Sequence, residues 1–100
     1  MTYHGINISS PAIKEFCRRH HIRRLALFGS ILRDDFGPNS DIDVLVIFEP
    51  EATPGFGFIG IQDELSDMLG HPVDLHTPAS LSKYFRNDIL QEAESLYDAA

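Results

Sequence analysis

The sequence predicts an α/β (α+β) chain, a small mixed β-sheet packed by helices. Three observations carry that expectation. Short apolar or β-branched runs at 25–28, 42–48 and 73–76 read as buried strands. Segments with helical spacing of apolar residues separate and flank them. Glycine and proline clusters sit at the joints, where a chain must change direction.

Taken in order, Ser10-Pro11 reads as a helix start, with serine as the cap and proline in the first turn. Ile13, Phe16, Cys17 and His20 then predict a helix over 11–20. Leu25 to Phe28 is an apolar run stopped by Gly29-Ser30, a strand leading into a turn. Residues 31–36 suit a short helix, ended by the turn cluster Gly37-Pro38-Asn39-Ser40. Ile42 to Phe48 is the most β-prone stretch, and Pro50 closes it. Residues 51–57 have the composition of a loop, and Phe56 and Phe58 of the Gly-rich stretch 54–58 read as cover for the core. Phe58, Ile61, Leu65, Met68 and Leu69 mark one helix face, with Gly70 at the expected C-terminal cap. Val73 to His76 reads as a strand, Thr77-Pro78 as a turn, and 81–97 as a final amphipathic helix.

The 100 residues are expected to form one domain, 1–100, with a modest core. No apolar run reaches the length of a membrane span, and the first residues lack the pattern of a signal peptide. The one cysteine, Cys17, rules out an internal disulfide and fits a cytoplasmic setting. A net charge of −7 argues against direct nucleic-acid binding, which rests on cationic contacts to phosphate. The charge is unevenly spread. Residues 1–40 carry six basic and three acidic side chains, while 41–100 carry two and twelve. That asymmetry hints at two surfaces with different partners. The basic run from Arg18 to Arg24 reads either as a solvated helix end or as a surface for an acidic partner or for phosphates.

The chemistry concentrates in residues 25–48. Backbone N–H groups where a strand meets a helix start are free to receive an anion. Gly29 allows close approach there, Ser30 offers a hydroxyl, and Arg33 lies one turn on. Asp41 and Asp43 are two apart in a predicted strand, so both carboxylates face one way while Ile42 faces the core. Like charges held so close call for a compensating cation, and Mg²⁺ suits a few carboxylates plus substrate phosphates. Asp74 interrupts the next strand. If the two strands are neighbours, Asp74 completes a cluster able to hold two metals about 3.5–4 Å apart. His20-His21 lacks metal-binding spacing. His4, His71 and His76 read as surface or core residues, with His76 alone sharing the face of Asp74.

Gly29-Ser30, then Arg33, Ser40, Asp41-Ile42-Asp43 and Val73-Asp74-Leu75, resembles the signature of the minimal nucleotidyltransferases. These form the MNT branch of the DNA polymerase beta-type superfamily, and the likeness extends to residues 81–97. It departs at Asp34 and Asp35, which follow the arginine where many members have glycine. The resemblance implies the polymerase beta-like nucleotidyltransferase fold. It implies two Mg²⁺ ions held by Asp41, Asp43 and Asp74, and ATP as substrate held by Gly29, Ser30, Arg33 and Ser40. Asp74 would also help deprotonate the acceptor.

Members of this size resemble antitoxins encoded beside a helical HEPN ribonuclease toxin, which they adenylylate on tyrosine. The expectation is therefore a hetero-oligomer with a HEPN-type partner. Contact-only neutralisation and transfer to a small molecule stand as alternatives.

Overall fold

The computed structural model describes residues 2–52 and 55–99, except for the side chain of Phe56. In chain order the elements are β1 (Thr2–Tyr3), β2 (Ile6–Asn7), α1 (Ser10–Arg19), β3 (Ile22–Phe28) and β4 (Ile42–Phe48). Then come α2 (Phe58–Leu69), β5 (Val73–His76), α3 (Arg86–Glu92) and β6 (Glu94–Asp98). Short 3₁₀ turns occupy Gly29–Leu32, Gly55–Gly57 and Pro78–Ser80.

The main sheet has the order β5-β4-β3-β6. β3 runs antiparallel to both β4 and β6, while β5 is parallel to β4. The sheet is mixed, as expected. Alternation along the strands sends side chains to two cores. Leu25, Leu27, Ile42, Val44, Val46, Val73 and Leu75 join Ile13, Phe16 and Cys17 of α1 and Ile61, Leu65 and Leu69 of α2. Ala26, Phe28 and Leu45 form a smaller core on the opposite face with Leu81, under Ile89, Leu90 and Ala93. Burial pushes the Cys17 thiol up to about 12, so it is an inert part of the core.

Several expectations need correction. The cap of α1 is Ser9, whose Oγ accepts from the Ala12 N–H, rather than Ser10. Ser10 and Pro11 instead fill the first turn, where proline's missing N–H costs nothing. Residues 31–36 form no α-helix: a single 3₁₀ turn ends at Leu32, and Arg33 is already extended. The final helix is shorter than 81–97. It stops at Glu92, and Leu96 and Tyr97 lie in β6. There both pack against the larger core although they are consecutive, where the β3–β6 register shifts between Leu25 and Ala26. The pair β1 and β2 was not expected; Tyr3 Oη donates to Glu94 at 2.5 Å, tying it to β6.

Helix α2 matches expectation, ending at Gly70 in the left-handed region with φ 65°. Phe58 packs on the larger core, edge-on to Phe48, while the Phe56 side chain lies outside the described residues. The basic run is partly engaged within the fold, while Arg18 and Arg23 are exposed. Arg19 and His20 both engage Glu64 of α2, and Arg24 Nε donates to Ser95 Oγ at 2.9 Å. Folding thus sets basic residues of the first half against acidic and polar ones of the second. Among the described residues, no helix is long and apolar enough to cross a membrane.

Candidate active site

The two central ladders align one row of residues across the smaller-core face of the sheet. Phe28 of β3 lies opposite Asp43 of β4, and Asp43 lies beside Asp74 of β5. The next row is Ala26, Leu45 and His76. Because Val73 and Leu75 must point into the larger core, Asp74 and His76 are obliged to face the same side as Asp43.

Ligand atoms from Asp43, Asp74 and His76 all lie within 4.8 Å of one another. His76 Nε2 is 3.1 Å from Asp74 Oδ2 and 3.6 Å from Asp43 Oδ1, within ion-pair range of both. Yet this nitrogen is shielded from water and makes no aligned hydrogen bond. The edge of Phe28 packs against the imidazole, with ring centroids 5.3 Å apart. Burial raises the Asp43 carboxyl above its ordinary range; His76 opposes the rise, and Asp74 and then Asp41 add to it. A shielded nitrogen beside two crowded carboxylates is a donor set that a divalent cation satisfies.

Gly29 completes this corner. Its φ of +77° favours glycine, and any Cβ built there would collide with Asp43 Oδ2. The glycine is therefore what lets the carboxylate lie against the turn. Ser30 follows at the head of the 3₁₀ turn, and among the described residues nothing engages its hydroxyl. The strand thus runs into a four-residue 3₁₀ turn rather than into the helix expected there.

The other expected residues are arranged less tightly. Asp41 precedes β4 and is exposed, outside the Asp43–Asp74–His76 group but near enough for its charge to act on Asp43. Ser40 faces its own turn: its Oγ accepts from the Gly37 N–H at 3.1 Å. Its carbonyl accepts from His71 Nε2. Arg33 is exposed, with Nε 3.4 Å from Asp35 Oδ1, so one of the two unexpected acids partly neutralises it. The segment from Gly29 to Asp41 is braced from behind. Phe36 contacts both His4 and His71, and His4 Nε2 bonds the Ile31 carbonyl at 3.0 Å. These two histidines are thus structural, as read.

Strand β5 is held on its outer side by α2. Ser66 Oγ accepts from the Val73 N–H at 3.0 Å, and Gln62 Oε1 from the Leu75 N–H at 2.9 Å. The two donors flank Asp74 and satisfy backbone groups that an edge strand would leave bare.

Comparison with known proteins converges on one family. Residues 10–96 match the nucleotidyltransferase domain. The chain belongs to that family. Within it, this nucleotidyltransferase is a member of the MNT branch. It is 35% identical over 79 residues to the protein adenylyltransferase MntA of Thermococcus cleftensis, covering 79% of each chain. It is also 35% identical over 89 residues to a Methanocaldococcus jannaschii chain provisionally named a protein adenylyltransferase, covering 89% of this chain and 95% of that one. Among solved structures, one provisionally described as a minimal nucleotidyltransferase shares 32% identity at a TM-score of 0.70, with 84% and 85% coverage. A toxin–antitoxin structure with AMP-PNP superimposes at 0.72 with 22% identity, covering 91% of this chain and 74% of that one, a likeness of fold.

His76, read as a surface or core residue on the face of Asp74, is brought beside both Asp43 and Asp74. The available signal was its two-residue offset from Asp74, which fixes a common face. What the sequence did not carry was the register that sets it behind Asp43.

Proposed function

We propose that this nucleotidyltransferase is an antitoxin that transfers AMP from ATP to a hydroxyl, tyrosine above all, of a HEPN ribonuclease toxin, with divalent metal as cofactor. The observation that carries the reading is the pairing of Asp43 with Asp74 against the Gly29 turn. Support for the acceptor class comes from the relatives named protein adenylyltransferases. Support for the partner comes from neighbours described as toxin–antitoxin complexes, one of them a tri-AMPylated HEPN toxin with its MNT antitoxin.

Asp43, Asp74 and the exposed Asp41 would hold two Mg²⁺ ions, which supply positive charge against the triphosphate and the developing charge at phosphorus. Gly29 lets the Asp43 carboxylate lie against the turn, and the Ser30 hydroxyl would donate to a phosphate oxygen. Asp74, with its side chain half exposed, would take the proton of an incoming hydroxyl. The acceptor oxygen bonds the α-phosphorus as the bond to the bridging oxygen breaks, and pyrophosphate departs. Positioning by a sheet rather than a loop suits this in-line displacement.

The test combines the protein with the HEPN product of its neighbouring gene, ATP and Mg²⁺, and follows the partner by intact mass. Addition of AMP units to the partner is expected, with none from an Asp41→Ala, Asp43→Ala double variant. Unmodified partner whose toxicity the double variant still suppresses would replace this reading with neutralisation by contact.

A further inference from the structure

The cluster described above contains a nitrogen that the carboxylate chemistry does not use. Strand alternation brings His76 to the active face, and the Leu45–His76 register sets it one row behind Asp43 and Asp74. Phe28 holds its ring edge-on. A protonated imidazole serving only as counter-ion would aim its N–H at one of the carboxylates. Here Nε2 is shielded from water and aligned with neither, although both lie within 3.6 Å. Three donor atoms mutually within 4.8 Å are close to the spread expected around one ion bound at about 2.0–2.3 Å.

We propose that His76 Nε2 joins the Asp43 and Asp74 carboxylates as a ligand of one divalent cation, giving this site a preference for a first-row transition ion such as Mn²⁺ over Mg²⁺. The inference rests on the reading of Asp43 and Asp74 as a cation site and adds to it the nature of the ion. Mg²⁺ is a hard ion that favours oxygen and keeps its waters. An imidazole in an otherwise oxygen donor set favours the transition metals, in the order that rises from Mn²⁺ through Co²⁺. The neighbouring side chains agree with that role: Phe28 fixes the ring and Leu45 lies beside it in register.

The experiment binds Mn²⁺ to the full chain in the presence of pyrophosphate, which fills phosphate positions without bringing nitrogen. Pulsed electron paramagnetic resonance then reads ¹⁴N coupling to the bound ion, and calorimetry compares Mn²⁺ with Mg²⁺. Imidazole coupling is expected in the wild type, unchanged in His71→Gln and absent from His76→Gln. The preference for Mn²⁺ over Mg²⁺ should fall roughly tenfold in His76→Gln. Because the wild-type spectrum is itself diagnostic, a His76 variant that fails to fold does not blunt the test. Saturable Mn²⁺ binding that is lost in Asp43→Asn but shows no imidazole coupling overturns the role of His76 and leaves the cation site standing. Coupling that survives in His76→Gln overturns it as well. No saturable binding at all overturns both readings together.

Discussion

The Asp43 carboxylate occupies the space where a side chain at residue 29 would stand, so Gly29 and Asp43 form one interlocked unit. The glycine is required twice over, by its backbone conformation and by its missing Cβ. Gly29→Ala would place a residue in the left-handed region at about 1–2 kcal/mol and push Asp43 from its place. Adenylyl transfer should fall about a hundredfold or more, since misplacement of about 1 Å suffices for that. Steady-state kinetics beside a thermal melt would separate the two losses; retained activity would count against the unit.

Asp43 is held in place at some cost in stability. Its folded-state affinity for protons is raised, chiefly by burial and then by the charges of Asp74 and Asp41, against the opposing His76. A raised carboxyl contributes stability below its unfolded pKa and loses it as pH climbs through the folded value. At neutral pH the ionised group is therefore unfavourable. Metal-free Asp43→Asn should melt above the wild type at neutral pH, and the two should converge in acid. Adding a divalent cation at about a hundredfold over its dissociation constant stabilises the wild type by about 2.7 kcal/mol and should reverse the order. Differential scanning calorimetry with and without chelator is the measurement.

The bonds from α2 to β5 fix Asp74. Gln62→Leu leaves the buried Leu75 N–H without its acceptor, at about 1–3 kcal/mol. Faster amide exchange at Leu75 in the native protein would locate the damage, and the transfer rate should drop with it. An unchanged exchange rate would mean that the strand holds its place unaided.

The distinction between what the sequence revealed and what it concealed follows from locality. Strand β4, helix α2 and its Gly70 cap were legible because apolar spacing and a left-handed terminus are properties of neighbouring residues. The same holds for Asp43 and Asp74, acids placed inside apolar strand patterns. Residues 81–97 misled because Leu96 and Tyr97 satisfy helical spacing while their burial comes from pairing with β3 across the sheet. Residues 31–36 suit a helix on paper but form none, since a Gly-Ser turn and a helix start look alike over so few residues. The sequence halves also do not stay apart, since Glu64 lies in the acidic half and folds onto Arg19.

That contact makes its own prediction. Glu64 is lowered in pKa mainly by its hydrogen bond to Arg19, opposed by desolvation and assisted by His20. A lowered carboxyl stabilises above its unfolded pKa, and the benefit is lost as pH falls through the folded value. Glu64→Gln should therefore cost stability at neutral pH, by less than about 1 kcal/mol given its partial exposure, and nothing in strong acid. Urea denaturation at several pH values would show the two curves meeting.

Strand β6 imposes an order of events on synthesis. It fills the side of β3 away from β4, and Arg24 and Ser95, which bond across that seam, are 71 positions apart. During translation β3 can meet β4 early, but its other border stays bare until residues 94–98 have left the ribosome. Until then the nascent chain carries an open edge able to pair with the wrong strand. The stretch that reads as the tail of a helix is, in the life of the molecule, the piece that ends this period of exposure.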